Sequence, residues 1–394
     1  MNAYESNTTL DAVADRIRAA DRIALFTHAK PDGDAIGSLL GLRRGLEQVG
    51  KAATAWVMGP LEPNVLSLAE DTPLHRIEDG APDNKSACGP GGGEPDLIVI
   101  VDTGSWAQLD PVADWLAART DRVVCIDHHG QGDPDVAAHR VVDVNVPAAT
   151  VLVTRLLDAL GVELTGGPSG IAEPLFLGLA TDTGWFRHGV AEVETFRLAA
   201  RLLECGVDKT RLYQLVEETH RPQRLAMLAQ ALKSLEYLNN GEVAVMSLAP
   251  EDFSLTGGVL EELTGMVNEP LSVDTVRLSV LLTQTEPGRT KMSFRSKPAA
   301  NGSAASPSGT PTASELAARF GGGGHTHAAG ARVDLDVEPA RHAVREALRD
   351  SASPRVDTAR HAQLPDPSSE ASDESASGSS GVSSGSSSGS TSGG

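Results

Sequence analysis

The chain has 394 residues, 40% of them hydrophobic, and a formal net charge of −20 at pH 7. That length predicts two domains with extensions rather than one. The acidity excludes a long nucleic acid held on an electropositive face, because polyanion binding relies on basic surfaces and released counterions, but it leaves room for a short phosphorylated ligand held by local cations.

The first buried strand reads over Ile23–Phe26, followed by Thr27-His28-Ala29-Lys30-Pro31-Asp32-Gly33-Asp34 and a helical pattern over 35–49. Further strands are expected at Ala53–Val57, Leu97–Val101 and Val123–Ile126, with a helix at 108–119. This alternation predicts an α/β domain, a parallel sheet flanked by helices on both faces. Residues 79–95 form a Gly/Pro-rich loop without periodicity. After Asp143 apolar residues recur at helical spacing over 148–160, 170–180, 192–204, 208–218 and 222–237, and one of these stretches is expected to link two lobes.

From Glu242 the pattern returns to strands at Val243–Leu248, Val276–Thr283 and Lys291–Arg295, with helical stretches at 312–319 and 337–349. This predicts a smaller α+β domain. Residues 299–311 read as a flexible insertion in it. Residues 351–394 are Ser/Gly-rich with few large apolar side chains, and such a tail buries too little surface to offset ordering entropy, so disorder is expected. The resulting boundaries are a catalytic domain at 10–205, a helical linker at 206–238, a substrate-binding domain at 239–350 and the tail. No run of about 20 apolar residues exists, so no membrane partner is expected. Residues 1–20 lack the basic start and apolar core of a secretion signal. Cys88, Cys125 and Cys205 form neither a metal spacing nor a disulfide framework, and a reducing, cytoplasmic location is expected.

Chemistry gathers where apolar elements stop. His28, Asp32 and Asp34 follow the first strand; Asp102-Thr103-Gly104 follows Leu97–Val101; Asp127-His128-His129-Gly130 follows Val123–Ile126; Thr181-Asp182-Thr183-Gly184-Trp185-Phe186 ends a helical run. Consecutive parallel strands point the same way, so these groups share one sheet edge, where open α/β sheets bind ligands. Taken alone, Pro31-Asp32-Gly33-Asp34 reads equally as a turn with a helix cap, and an Asp-His-His tripeptide as ordinary surface or core. Together the four motifs point to metal: converging carboxylates repel and lose their charge unless cations intervene. Two divalent ions about 3.5–4 Å apart, bridged by a carboxylate and a water, are the usual device for phosphoester displacement. Imidazole with carboxylate suits Mn2+ better than Mg2+.

The ordered motifs HAKPDGDAIGS, VDTG, IDHH, ATDTGWF, SFRSK and FGGGGHTHAAG resemble the DHH phosphoesterases that carry a DHHA1 domain, over about residues 10–350. Within that family the chain is similar to the oligoribonucleases that also dephosphorylate 3′-phosphoadenosine 5′-phosphate. The resemblance implies that His28 and Asp32 bind a first Mn2+, that Asp34, His128 and Asp182 bind a second, and that Asp102 bridges them. Mg2+ or Co2+ would be substitutes. It makes His129 a catalytic contact to the scissile phosphate, and Asp127 a carboxylate that orients a ligand His. It gives Arg295, Gly322, Gly323, Gly324 and His325 to nucleotide binding; the glycine run by itself reads equally as a flexible loop, while Arg suits bidentate phosphate. Lys297 and His327 rank below these, and Trp185 and Phe186 read either as base-stacking or as core residues.

The expected activity is hydrolysis of short oligoribonucleotides to 5′-mononucleotides and of 3′-phosphoadenosine 5′-phosphate to AMP, in a cleft between the lobes, by a chain that the resemblance allows to be a homodimer. A rival in the same chemistry is hydrolysis of cyclic di-AMP or its linear product. A rival of another class is a nucleotide-binding regulator without catalysis, against which the complete ligand set argues.

Overall fold

The computed structural model describes residues 3–59, 61, 63–77, 82, 88, 93–187, 192–298 and 309–352. Most of the 79–95 loop, the 299–311 insertion up to residue 308 and the tail from 353 lie outside the described residues. The chain divides into two compact units, Met1–Pro222 and Gln223–Gly394.

The first unit runs α1 (Leu10–Ala19), β1 (Arg22–Phe26), α2 (Gly33–Gln48), β2 (Ala52–Val57), α3 (Pro63–Ala69), β3 (Leu74–Arg76), β4 (Leu97–Val101), α4 (Ala113–Ala117), β5 (Val123–Asp127), β6 (His139–Val142), α5 (Ala149–Leu160), α6 (Ala172–Asp182), α7 (Val193–Glu204) and α8 (Lys209–Glu217). Its six strands form an entirely parallel sheet in the order β3-β2-β1-β4-β5-β6. Side chains alternate between two cores, as period-2 pleating requires. Ile23, Leu25, Val99, Val101, Val124 and Ile126 face one core, and Ala24, Phe26, Ile98, Ile100, Val123 and Cys125 the other. Both faces are dry, which is why the strands read as continuous apolar runs.

The second unit holds α9 (Pro222–Lys233), β7 (Glu236–Leu238), β8 (Val243–Leu248), α10 (Pro250–Thr256), β9 (Leu278–Glu286), β10 (Arg289–Ser296), α11 (Ala313–Ala318), β11 (Gly323–His325), β12 (Ala328–Val333) and α12 (Val337–Ala352). Its sheet has the order β11-β12-β10-β9-β8-β7, with β8 and β9 parallel and the other pairs antiparallel. The mixed α+β expectation matches this unit. Among the described residues no helix is long and apolar enough to cross a membrane.

Several elements differ from expectation. The helix expected at 108–119 is two 3-10 turns, Trp106–Gln108 and Asp110–Val112, and the short α4; Pro111 has no N–H to give an α-helix there. The helix expected over 222–237 ends at Lys233, because Glu236–Leu238 pair with β8 instead. The short strands β3, β6, β7 and β11 carry too little periodicity to be read in advance; α1 and β12 are additions to the expected elements, although Leu10, Val13, Ala14 and Ile17 of α1 recur at helical spacing.

Candidate metal centre

The sheet order reverses between β1 and β4, so the connections leaving these neighbours diverge and open a crevice at their carboxyl ends. His28 lies two residues beyond β1, Asp102 directly after β4, and Asp127, His128 and His129 at and after the end of β5. At Asp102 the backbone enters the left-handed region (φ 64°), which Asp tolerates better than most residues, and its N–H donates to Ile126 O at 2.9 Å.

The other candidate ligands come from two packed helices. Asp32 caps α2, its Oδ1 accepting the N–H groups of Asp34 and Ala35 at 3.1 Å each. The capped-turn reading of Pro31–Asp34 is therefore correct and compatible with the ligand reading. Asp182 is the last residue of α6. The two helices approach through glycines: a Cβ on Gly37 would stand 2.3 Å from Pro174 O, and one on Gly178 2.7 Å from Asp34 Oδ1.

Among the described residues these elements form three groups whose donor atoms lie within 4.8 Å of one another: His28, Asp32 and Asp102; Asp34, His128 and Asp182; and Asp102, His128 and His129. His28 Nε2 is 3.5 Å from Asp102 Oδ2 and 3.9 Å from Asp32 Oδ1. His128 Nε2 is 3.3 Å from Asp102 Oδ1, 3.3 Å from Asp182 Oδ2 and 3.7 Å from Asp34 Oδ2. Asp102 thus turns one oxygen to each imidazole. His28 Nδ1 sits 3.1 Å from Ala29 O, which leaves Nε2 toward the carboxylates.

The electrostatics of the bare cluster are those of crowded acids. Burial, then the charges of Asp102 and Asp182, pushes fully buried Asp34 well above the usual carboxylate range. Burial first, opposed by His128 and reinforced by Asp32 and Asp102, raises Asp182 to about 7. Burial alone would lower the two imidazoles, yet Asp102 and the neighbouring acids outweigh it and raise His28 and His128 to about 9. Burial would raise Asp102, but the two imidazoles beside it hold it below its ordinary value. Asp102 Oδ1 and His128 Nε2 are buried without a hydrogen-bond partner, their 3.3 Å approach being misaligned for one. Buried polar atoms left unpaired are costly in a native structure. Four carboxylates and two imidazoles around such atoms fit a divalent cation.

The carboxylate hold expected on a ligand imidazole falls elsewhere. Asp127 Oδ1 accepts Nδ1–H of His129 at 2.8 Å, and from His128 it takes only the backbone N–H, also at 2.8 Å. That bond, ahead of the opposing effect of burial, raises the pKa of His129. His129 Nδ1 also lies 3.8 Å from Asp102 Oδ1, so the catalytic candidate borders the His/Asp cluster.

Trp185 and Phe186 pack. Trp185 Nε1 donates to Glu217 at 2.8 Å and its ring meets Tyr213 edge-on, while Phe186 lies against Phe176 and Phe196. His188 lies outside the described residues.

In the second unit, Arg295 on β10 is largely desolvated, which lowers its pKa, and its Nη1 donates to Phe294 O at 2.9 Å. His325 pairs through its backbone with Ala328. The glycine run is not a loop over its last part, since Gly323 and Gly324 belong to β11. A Cβ on Gly322 would stand 2.1 Å from Gly330 O, and Gly324 has φ 141° with Ala328 O 2.5 Å from a would-be Cβ. Close strand packing therefore demands glycine at both positions whether or not a ligand approaches. His327 Nδ1 is 3.0 Å from Ser296 Oγ, and Lys297 reaches Val273 O at 2.7 Å.

Two parts of the centre escaped sequence reasoning. The N–H groups of Ala149 and Thr150 hold Asp34, and the hydroxyl of Tyr4 donates to Asp127. Both contacts span more than a hundred residues, and no local pattern marks them.

Residues 22–179 match the DHH family, N-terminal domain. The bifunctional oligoribonuclease and PAP phosphatase NrnA of Thermus thermophilus is 33% identical over 350 residues, covering 86% of this chain and 93% of that protein. The cyclic-di-AMP phosphodiesterase GdpP of Geobacillus thermodenitrificans is 24% identical over 367 residues, covering 86% of this chain and 49% of that protein. A solved exopolyphosphatase-related protein from Bacteroides fragilis superposes with a TM-score of 0.75 at 25% identity, over 87% of this chain and 96% of that one.

Proposed function

Because this chain belongs to the DHH family, we propose that it is a Mn2+-dependent phosphoesterase, hydrolysing short oligoribonucleotides to 5′-mononucleotides and 3′-phosphoadenosine 5′-phosphate to AMP. The observation that carries the reading is the pair of His/Asp groups, one of which contains Asp102, whose Oδ1 lies 3.3 Å from His128 Nε2 of the other. His28, Asp32 and Asp102 would hold one ion, and Asp34, His128, Asp182 and Asp102 the other. Bound there, such ions supply Lewis-acid stabilisation of phosphoryl charge and a water acidified toward neutral pH.

The chain's own residues do the rest. Asp102 spans both groups through its two oxygens and fixes their separation. Asp34, clamped by the first-turn amides of α5, resists displacement as charge moves in the site. His129, its Nδ1–H committed to Asp127, presents Nε2 as the nitrogen that holds or passes a proton at the scissile phosphate. Arg295 and the segment Gly322–His325 are assigned to recognising the nucleotide end, since a desolvated guanidinium favours phosphate strongly. The same chemistry serves a diester and a monoester, as both lose an alcohol oxygen from phosphorus.

The GdpP relative supports a second reading, hydrolysis of cyclic di-AMP or its linear product. A turnover panel separates the two: a linear ribodinucleotide, 3′-phosphoadenosine 5′-phosphate and cyclic di-AMP, each with Mn2+ and with chelator. Turnover of the first two, abolished by chelator, is the expected result. Preference for the cyclic compound favours the second reading, and inertness toward all three defeats both.

A further inference from the structure

A short strap brings to the centre a residue that no motif marks. Residues 6–8 lie along β6. Ser6 Oγ donates to Val142 O and accepts its N–H, both at 2.8 Å. Asn7 N–H donates to Arg140 O at 3.0 Å, and Asn7 Oδ1 accepts the Arg140 N–H at 2.7 Å. Asn7 Nδ2 also donates to Ala138 O at 3.0 Å. Just ahead of this zipper, the Tyr4 ring fills a notch that exists because two loop residues lack side chains. A Cβ on Gly104 would stand 1.9 Å from the Tyr4 hydroxyl oxygen, and one on Gly132 2.5 Å from its Cζ.

At the base of the notch the Tyr4 hydroxyl donates to Asp127 Oδ2 at 2.6 Å, with Cys125 Sγ 3.4 Å away. Asp127 is fully buried. Its other oxygen accepts the His128 N–H at 2.8 Å, the His129 N–H at 3.2 Å and His129 Nδ1–H at 2.8 Å. The four donors divide between two oxygens, and among the described residues Tyr4 is the donor to Oδ2. Burial, and then the nearby Cys125 and Asp127, push the phenol's pKa far up, so it remains a donor.

We propose that Tyr4 is a positioning residue of the centre, locking Asp127 in the orientation that fixes the ring and tautomer of His129. This rests on the phosphoesterase reading above. Without the hydroxyl, Oδ2 is a buried acceptor with no donor, and the carboxylate gains by rotating toward another group. The imidazole then loses its fixed Nδ1–H bond. The loss falls on the reaction step more than on substrate binding, because the chain of contacts ends at His129, which is assigned to the scissile phosphate and not to the base or ribose.

The test is Tyr4→Phe in the full chain with Mn2+ and a linear ribodinucleotide. Expected are a kcat about tenfold lower, the scale for removing a partner behind an active-site His, a KM within about twofold of native, and no further loss when Y4F is added to Asp127→Asn. The chelator-treated protein gives a readout independent of turnover: the 15N signal of His129 Nδ1 should move from a single protonated position to an exchange-averaged one in Y4F. Native kcat with an unmoved Nδ1 signal overturns the proposal, as does an equal loss in the D127N background. Should Y4F fail to fold, Gly132→Ala, which keeps the hydroxyl but crowds its ring, carries the same readouts. If native protein turns over no phosphoester, the functional reading falls while the Nδ1 signal still decides the role of Tyr4.

Discussion

Asp34 accepts the backbone N–H of Ala149 across 115 residues, at 2.5 Å, and its other oxygen accepts the N–H of Thr150 at 3.0 Å. A carboxylate expected to bind metal is thus also the cap of α5. The first-turn amides of a helix leave unpaired donors and a positive dipole end, and a buried acid satisfies both. Substituting Asp34→Asn places an amide N–H2 against one of these N–H groups whichever way the side chain turns. In chelator, D34N should lose about 1–3 kcal/mol in urea unfolding, the cost of a buried donor without an acceptor. A D34N protein as stable as native would show that the clamp contributes nothing.

Asp102 belongs to the first group and also turns an oxygen to His128 of the second, so its loss should be felt by both. Asp102→Ala removes a donor of the first group and the oxygen 3.3 Å from His128 Nε2, whereas Asp32→Ala touches the first group alone. D102A should cost more than about 100-fold in kcat, beyond what losing an outer hydrogen-bond partner costs, and should lower the number of Mn2+ bound per chain measured by equilibrium dialysis. Retained turnover, or unchanged stoichiometry, contradicts the bridging role.

The helix pair that carries Asp34 and Asp182 is set by glycine contacts, and these are testable away from the chemistry. A Cβ on Gly37 meets the Pro174 carbonyl oxygen at 2.3 Å, a backbone atom that cannot swing aside. Gly37→Ala should destabilise by about 1–3 kcal/mol, the usual range for overpacking. By moving α2 from α6 it should also weaken Mn2+ binding. A G37A protein with native stability would mean that the helices yield freely, and the ligand geometry would then owe little to their packing.

The sequence made the parallel sheet and the clustering of His and Asp side chains legible for one physical reason. Strands buried on both faces read as apolar runs, and polar residues interrupt them at their ends, as at Val101–Asp102 and Ile126–Asp127. The second unit, with its mixed sheet, was legible as α+β, but its edge strands were not. Gly323–His325 spans three residues and takes its conformation from pairing with Ala328–Gly330, so local propensity had nothing to report. The hold on Asp127 was hidden for a related reason. Tyr4 lies 123 residues away, in a segment whose polar neighbours look like any surface stretch. The same distance hid the α5 amides, since any backbone N–H looks alike in a sequence.

Protons and metal should compete for the centre, and the direction follows from the pKa shifts. His28 and His128 are raised from 6.5 to about 9, and Asp182 from 3.8 to about 7. All three bind protons more tightly folded than unfolded, so each stabilises the metal-free fold below its unfolded value and loses that contribution as pH rises through its folded value. The windows are about 4–7 for Asp182 and about 6.5–9 for the imidazoles. Asp102, held low, contributes in the opposite sense, but its window lies below pH 4 and is complete before this range begins. In chelator the urea midpoint should therefore fall from pH 5.5 to pH 8.5. A divalent ion needs deprotonated ligands and must displace these protons, so its affinity climbs with pH. The rise in Tm on adding Mn2+ should accordingly be larger at pH 8.5 than at pH 5.5, with protons released on binding, detectable as a buffer-dependent heat in calorimetry. A chelated protein that gains stability between pH 6.5 and 8.5 would show that the imidazoles are not held protonated by the acids around them.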